Sequence, residues 1–165
     1  MTYFRPADER DLIVHQLAYN DASLPAGGQV IVPTQQDDIV GTEVQYDSTS
    51  NINFARFIVY EYTIQLWWNT DLSCSFLELW EQTNIADPLS WSYVGDKYRT
   101  TERFTWWQQS VVMGQFLIPV YSGSRKYKLR VRALDASNQA ALHLATTGAG
   151  NPNKSFPPLI KMYTI

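Results

Sequence analysis

The sequence predicts an all-β protein built as an antiparallel β-sandwich. Aromatic residues make up 14 % of the 165 residues, with 10 Tyr, 7 Phe and 6 Trp, and aromatic and β-branched residues favour strands. Beyond residue 37, short apolar runs alternate with turn residues, and several runs repeat with the period of two that is typical of half-buried strands. Because 45 % of the residues are hydrophobic, the chain can bury a core of its own.

Residues 1–37 are predicted to form an extended N-terminal arm in front of a sandwich domain at 38–165. Prolines and polar side chains interrupt this segment. Within it we expect one turn of helix at 12–17 and one strand at 29–33. The arm is either a flexible terminus or a segment that orders on a neighbouring subunit. The candidate partner-binding residues of the arm are Tyr3, Phe4, Leu12, Ile13 and Leu17.

The strand at 55–67 shows the clearest alternation. One face, predicted to be buried, carries Ile58, Tyr60, Tyr62, Ile64 and Leu66. The opposite face is apolar at the Phe57 end and polar at the Gln65 end. Gly114 is predicted to form a bulge or bend. The other predicted strands are 75–81, 91–94, 101–110, 111–120, 126–134, 140–145 and 159–165.

The net charge of −3 conceals a strong asymmetry along the chain. Residues 1–96 hold 14 acidic and 3 basic residues, a net charge of −11, whereas residues 97–165 hold 10 basic and 2 acidic residues, a net charge of +8. Charge asymmetry between the halves of a chain indicates partners or self-association. Alternatively, the halves interleave in the sandwich, and the opposite charges pair across strands.

The strand at 126–132 is the sharpest feature of the basic half. Its outward face carries a basic ladder, defined as Lys126, Lys128, Arg130 and Arg132. The ladder pairs with acids on a neighbouring strand, Glu78 or Glu81, or docks on an acidic protein surface. Nucleic acid is a weaker alternative because the isoelectric point of about 5.3 does not suit a nucleic-acid-binding domain.

Two tryptophan pairs are candidates for an exposed aromatic platform. Neighbouring residues on a strand point to opposite faces, so each pair sends one ring outward. Such a ring packs in the sandwich, anchors a protein interface or stacks on a sugar, and we favour the interface over the sugar. The residues of the possible stacking platform are Trp67, Trp68, Trp106 and Trp107.

The motifs of catalysis, cofactor binding and metal binding are weak in this sequence. There is one cysteine, Cys74, there are two histidines, and no Gly-Xaa-Ser-Xaa-Gly motif or glycine-rich phosphate loop occurs. The acidic residues at 37–47 lack the spacing of a calcium loop. We therefore expect no enzyme activity, cofactor or metal. No leader of the secretory type and no apolar run long enough for a membrane span is visible, so we expect synthesis in the cytoplasm of a host cell and no membrane partner.

The order of these features resembles a jelly roll. An acidic entry, a long aromatic strand at 55–67, a basic strand at 126–132 and a closing apolar strand at 159–165 are similar to the trimeric tumour-necrosis-factor/C1q-like version, over residues 38–165. Bacteriophage decoration (cement) and fibre proteins look similar. The resemblance implies a structural virion protein, forming a homotrimer, that binds major capsid or other virion proteins through its arm and charged face. The alternatives are a carbohydrate- or receptor-binding fibre module and a head-tail connector or tail component.

Overall fold

The computed structural model describes residues 12–17, 29–31, 36–47, 57–68, 74–103, 109–133, 140–142 and 157–165. These residues form two antiparallel sheets, which confirms the predicted all-β sandwich, and one 3-10 turn at Asp96–Tyr98. In chain order the strands are β1 (Ile13–Gln16), β2 (Gln29–Ile31), β3 (Gln36–Asp38), β4 (Val44–Asp47), β5 (Phe57–Trp68), β6 (Cys74–Gln82), β7 (Trp91–Tyr93), β8 (Arg99–Arg103), β9 (Gln109–Pro119), β10 (Ser124–Ala133), β11 (Ala140–Leu142) and β12 (Leu159–Thr164).

Each sheet is four strands wide. In the first sheet, β5 pairs with β9 on one side and with β12 and β11 on the other, and β1 and β2 lie outside β12 and β11. In the second sheet, β10 and β6 pair at the centre. Strands β3 and β4 line the free side of β10, and β7 and β8 line the free side of β6. The chain therefore passes repeatedly between the two sheets.

The hydrophobic core lies between the facing surfaces of the two sheets. The buried side chains that the alternation of 55–67 predicts are confirmed at Ile58, Tyr60, Tyr62 and Ile64. From the other sheet, β6 and β10 contribute the fully buried Leu77, Leu79, Tyr127, Leu129 and Val131. Val59, on the outer face, is buried too, because it lies between Leu117 and Tyr163 on the neighbouring strands.

The prediction of a bulge or bend at Gly114 is wrong. The pairing of β5 with β9 is unbroken from Phe57–Pro119 to Trp67–Gln109, with Gly114 directly opposite Tyr62. A Cβ on Gly114 would lie 2.5 Å from the Tyr62 hydroxyl oxygen. Glycine is therefore required by the aromatic ring that crosses it, and not by a break in the strand.

The described parts of the segment 1–37 are strands within the two sheets. The helical turn expected at 12–17 is wrong, because Ile13–Gln16 pairs with β12 and this tertiary pairing determines its conformation. Strand β2 pairs with β11. Strand β3 crosses the predicted boundary at 37/38 and pairs with β10.

A short interruption separates β3 from β4 along the edge of β10. Gly41 adopts a positive φ of 83° at the turn, where glycine is favoured. The Thr42 hydroxyl accepts a hydrogen bond from the Leu129 amide at 3.1 Å and donates one to the Ile39 carbonyl at 2.7 Å. The side chain of Thr42 thus satisfies a backbone group of β10 that the interrupted strand leaves open.

Candidate functional site

The outer face of the second sheet carries a row of alternating charges. Asp38 lies opposite Arg130, Arg130 lies opposite Glu78, and Glu78 lies opposite Arg99, in a line across β3, β10, β6 and β8. Both acids come from the acidic half of the chain and both arginines from the basic half. The charge asymmetry of the sequence is therefore brought together across strands within one subunit.

The basic ladder on β10 takes its acid partners from β3 and the turn that follows it. Lys128 Nζ lies 2.6 Å from Asp38 Oδ2, and Arg130 Nε donates to the other oxygen of the same carboxylate. Lys126 Nζ lies 2.9 Å from Glu43 Oε1. Burial opposes ionisation of Asp38, but the hydrogen bonds and charges of Lys128 and Arg130 outweigh it and lower its pKa.

Glu78 is a buried carboxylate on this outer face, and its side chain is enclosed by polar groups. Arg99 Nη2 lies 2.7 Å from Oε1 as an ion pair, although the contact lacks the alignment of a hydrogen bond. Gln36 donates to Oε2 at 2.8 Å, and Trp80 Nε1 donates to it at 3.4 Å. Arg99 loses hydration through burial, but the charge of Glu78 raises its pKa overall. The predicted partners Glu78 and Glu81 thus pair mainly with arginines outside the ladder, since Glu81 bonds Arg125 at 2.9 Å.

Aromatic rings lie beneath the cations of the same face. The Arg130 guanidinium lies 4.0 Å from the Trp80 ring centre, and Lys128 Nζ lies 4.0 Å from that of Trp91. These are cation–π contacts. Since Lys128 and Arg130 each have an acid partner and a ring beneath them, the geometry at these two residues favours the internal-pairing interpretation of the ladder. Arg132 lies opposite Gln36 and Phe76 in the register, and its side chain is outside the described set.

The side chains of the predicted tryptophan platform lie outside the described part of the structure, so the platform stays a prediction. Trp67 and Trp68 form the end of β5, where the described backbone pairs with β9 and β11, and their side chains are not described. Trp106 and Trp107 lie outside the described residues.

Of the candidate partner-binding residues of the arm, two contact other parts of this chain and one is exposed. Ile13 packs against the core, and Leu17 lies against Gly41, where an added Cβ would be 3.0 Å from Leu17 Cδ1. Leu12 is exposed. Tyr3 and Phe4 lie outside the described residues.

The outer face of the first sheet is an apolar surface, of which the sequence predicts only the Phe57 end of β5. Among the described residues, exposed large apolar side chains cluster on or beside its strands, and we define the apolar face by them: Leu12, Val14, Phe57, Val111, Met113, Leu117 and Ile165. The other two such side chains, Ile85 and Leu89, lie in the loop between β6 and β7. The signal in the sequence is the run 109–119, which is apolar at both parities and has no charged residue.

An ion pair lies within the apolar face. Lys161 and Glu61 are directly opposite in β12 and β5, and Lys161 Nζ lies 2.8 Å from Glu61 Oε1. This hydrogen bond, together with the charge of Glu61, raises the pKa of Lys161. The charges on this part of the face therefore neutralise each other.

A small cleft opens at one end of the sandwich. It has a volume of about 280 Å³ and includes Glu81, Lys97, Tyr121 and Arg125 in its lining. Its arginine is engaged by Glu81 and also lies 4.2 Å from the centre of the Tyr121 ring. In the part of the chain that the structure describes, no group of three or more His, Cys, Asp or Glu side chains is arranged to hold a metal ion. No helix among these residues has the length and apolarity of a membrane span.

Comparison with known proteins gives only distant likenesses. No protein-family model matches the chain, and no curated protein matches it. The chain is similar to part of the crystal structure of dimeric latent PorU from Porphyromonas gingivalis, with 6 % identity, a TM-score of 0.42, and coverage of 93 % of this chain and 13 % of that one. It is similar to part of the structure of infectious bursal disease virus Gx strain, with 9 % identity, a TM-score of 0.36, and coverage of 93 % and 36 %.

Proposed function

We propose that this chain is a structural binding protein that attaches to other protein subunits through the apolar face of its first sheet. The observation that carries the proposal is that the exposed apolar side chains of the described strands lie on this face, whereas the described ladder cations on the other outer face, Lys126, Lys128 and Arg130, each have an acid partner. Exposed apolar side chains gathered on one face of a folded domain point to an interaction site. The proposal assigns the protein to binding rather than to catalysis.

The proposed partner is the protein shell of a virus particle. The support is the sandwich fold, which virion proteins use widely, together with the resemblance of the sequence to capsid-decorating proteins. A repeated shell offers many equivalent sites, so that modest contacts at each site add up over the particle.

The chemistry of the apolar face defines the partner surface. Val14 and Ile165 are more than half exposed, and the ion pair between Lys161 and Glu61 is already neutral as a unit. The partner surface should therefore be apolar and carry little net charge. Such a contact persists at high salt, whereas docking through the basic ladder would be weakened by it.

The test is co-sedimentation of purified chain with virus particles isolated from the source of the gene. We expect the wild-type chain to sediment with the particles and to remain bound in about 1 M salt. The double variant Val14→Lys/Ile165→Lys should lose binding because it places charges on the apolar face. The matched control is Leu89→Lys, which adds a lysine at the most exposed apolar side chain of the β6–β7 loop and should bind like wild type.

Three results would contradict the proposal. The first is a wild-type chain that stays in the supernatant. The second is equal binding by the double variant and the Leu89→Lys control. The third is release of the wild-type chain by salt, which would favour the charged ladder as the docking surface. Circular dichroism of each variant confirms that loss of binding is not loss of fold.

A further inference from the structure

Among the residues that the structure describes, one side of the β9 backbone has no strand paired to it. Phe57 and Ile165 exchange two backbone hydrogen bonds, at 3.2 and 2.9 Å, so Phe57 bonds toward the β12 side of β5. Along an antiparallel strand, successive residues direct their backbone N–H and C=O groups to opposite sides. The even-numbered residues of β5 therefore form their backbone hydrogen bonds with β9. Their partners in β9 are also even-numbered, as with Tyr62 and Gly114. The odd-numbered residues of β9 therefore direct their N–H and C=O groups away from the sheet.

The open groups belong to one regular stretch of strand. They are those of Gln109, Val111, Met113, Gln115 and Leu117, and among the described residues β9 pairs with β5 alone. Pro119 occupies the next odd position, where its missing N–H faces the open side, as is usual for proline in an edge strand.

Between Gln109 and Leu117 the described edge has none of the charges, prolines or bulges that ordinarily protect edge strands. Residues 109–119 contain no charged side chain, and their pairing with β5 has no bulge. The edge formed by β3 and β4, in contrast, is interrupted at Thr42 and carries charged side chains. A long, uncharged and unbroken edge is a template for another strand.

We propose that β9 pairs with β9 of a second copy of this chain, antiparallel, about a two-fold axis at Met113. In this register Met113 faces Met113 of the second copy, Val111 faces Gln115, and Gln109 faces Leu117. All five open residues then take part, with about ten hydrogen bonds over roughly 30 Å. A register centred on Gln115 would instead set Pro119 against Val111 at two symmetric positions and lose one hydrogen bond at each.

A second copy fits this edge because the strand is self-complementary. The uncharged sequence creates no repulsion when the strand meets itself, and a two-fold contact buries the same patch on both subunits. Met113 and Val111 are 74 % and 60 % exposed in the single chain, and the pairing brings them beside apolar or uncharged neighbours. The inference is independent of the proposed virion role and uses the protein alone, so either can fail while the other stands.

The first experiment compares two lysine substitutions by sedimentation equilibrium of the purified full chain. Met113→Lys places two positive charges opposite each other at the axis, whereas Val111→Lys faces the uncharged Gln115. We expect the dimer dissociation constant to rise by more than about tenfold for Met113→Lys and by less for Val111→Lys. Mixing Met113→Lys with Met113→Glu should restore a mixed dimer, since opposite charges then meet at the axis.

The second experiment is disulfide cross-linking under oxidising conditions. In the proposed register the Cα atoms of the two Met113 residues are about 5.5 Å apart, within reach of a disulfide, and those of the two Val111 residues are about 14 Å apart. Met113→Cys should therefore form a covalent dimer and Val111→Cys should not. The wild-type chain, with its single Cys74, controls for linkage through that residue.

Several results would overturn the proposal. They are a wild-type chain that remains monomeric at all concentrations, equal effects of the two lysine substitutions, or failure of Met113→Cys to cross-link beyond the wild-type control. An odd-numbered assembly that Met113→Lys leaves intact would also overturn it, and would support the three-fold association expected from the sequence.

Discussion

The substitution Asp38→Asn removes the carboxylate that neutralises two cations of the basic ladder. Both Lys128 and Arg130 bond this carboxylate. The asparagine keeps the size and one acceptor oxygen but loses the charge. Its effect therefore measures how far the acidic and basic halves of the chain depend on each other inside one subunit.

The expected magnitude follows from the exposure of the partners. The Lys128 side chain is 8 % exposed, so its charge would remain nearly buried without a partner. Breaking a fully buried pair costs about 3–5 kcal/mol, and an exposed pair is worth about 0–1 kcal/mol. Because the Asp38 side chain is 49 % exposed, solvent compensates for much of the loss. We expect the free energy of unfolding to fall by about 1–2 kcal/mol.

The assay is urea unfolding followed by tryptophan fluorescence near neutral pH. The control is Glu43→Gln, which removes the partner of Lys126 in a pair whose side chains are 30 % and 50 % exposed. We expect this control to change the free energy of unfolding by less than about 0.5 kcal/mol. Equal effects of the two substitutions would refute the reasoning that the ladder is neutralised mainly through Asp38.

The pH dependence of stability gives a second measure of how much the Asp38 carboxylate contributes through Lys128 and Arg130. The pKa of Asp38 is lowered in the folded protein from its ordinary value of 3.8. Its stabilising contribution is therefore complete above that value and is lost as the pH falls through the lower, folded pKa. Wild type and Asp38→Asn should converge in stability on acidification. A gap that stays constant down to the acid transition would contradict the charge-based explanation.

Three further predictions concern the interior. Gly114→Ala should destabilise the fold by about 1–3 kcal/mol in urea unfolding, because the new methyl group meets the ring of Tyr62; an unchanged midpoint would contradict this packing. Thr42→Val should cost about 1–3 kcal/mol by leaving the Leu129 amide without an acceptor, whereas Thr42→Ser should retain most of the stability; equal losses would show that the hydroxyl is not responsible. Burial raises the pKa of Tyr121 to about 12, so the contribution of this buried, neutral tyrosine to stability is complete below pH 10 and is lost as the pH rises through the folded pKa. Tyrosinate absorbance should therefore rise together with unfolding. Titration of all ten tyrosines before unfolding would contradict this prediction.

The alternation of side chains made the central strands predictable. Along 126–132, the period of two separates the buried Tyr127, Leu129 and Val131 from the ladder cations. The alternation does not identify Glu43 and Asp38 as the acid partners of the ladder cations, because that pairing depends on which segment lies beside β10. Sequence alone does not specify that long-range pairing.

Other features depend on contacts that only the folded chain reveals. Ile13–Gln16 is a strand because β12 lies beside it, and its short sequence carries no alternation strong enough to indicate this. Gly114 looks like a bulge in the sequence, but it is needed because Tyr62 lies across it. The apolar face is equally hidden, since its residues come from four separate parts of the chain and only the sheet register brings them together.

Hydroxyl-radical footprinting of the chain bound to virus particles tests the proposed attachment most directly. Val14 and Ile165 are open on the apolar face, and Leu89 is open on the β6–β7 loop. We expect particle binding to protect Val14 and Ile165 from labelling, while Leu89 is labelled as in the free chain. Equal labelling of Val14 and Ile165 in the free and bound chain, with protection on the ladder face instead, would contradict it.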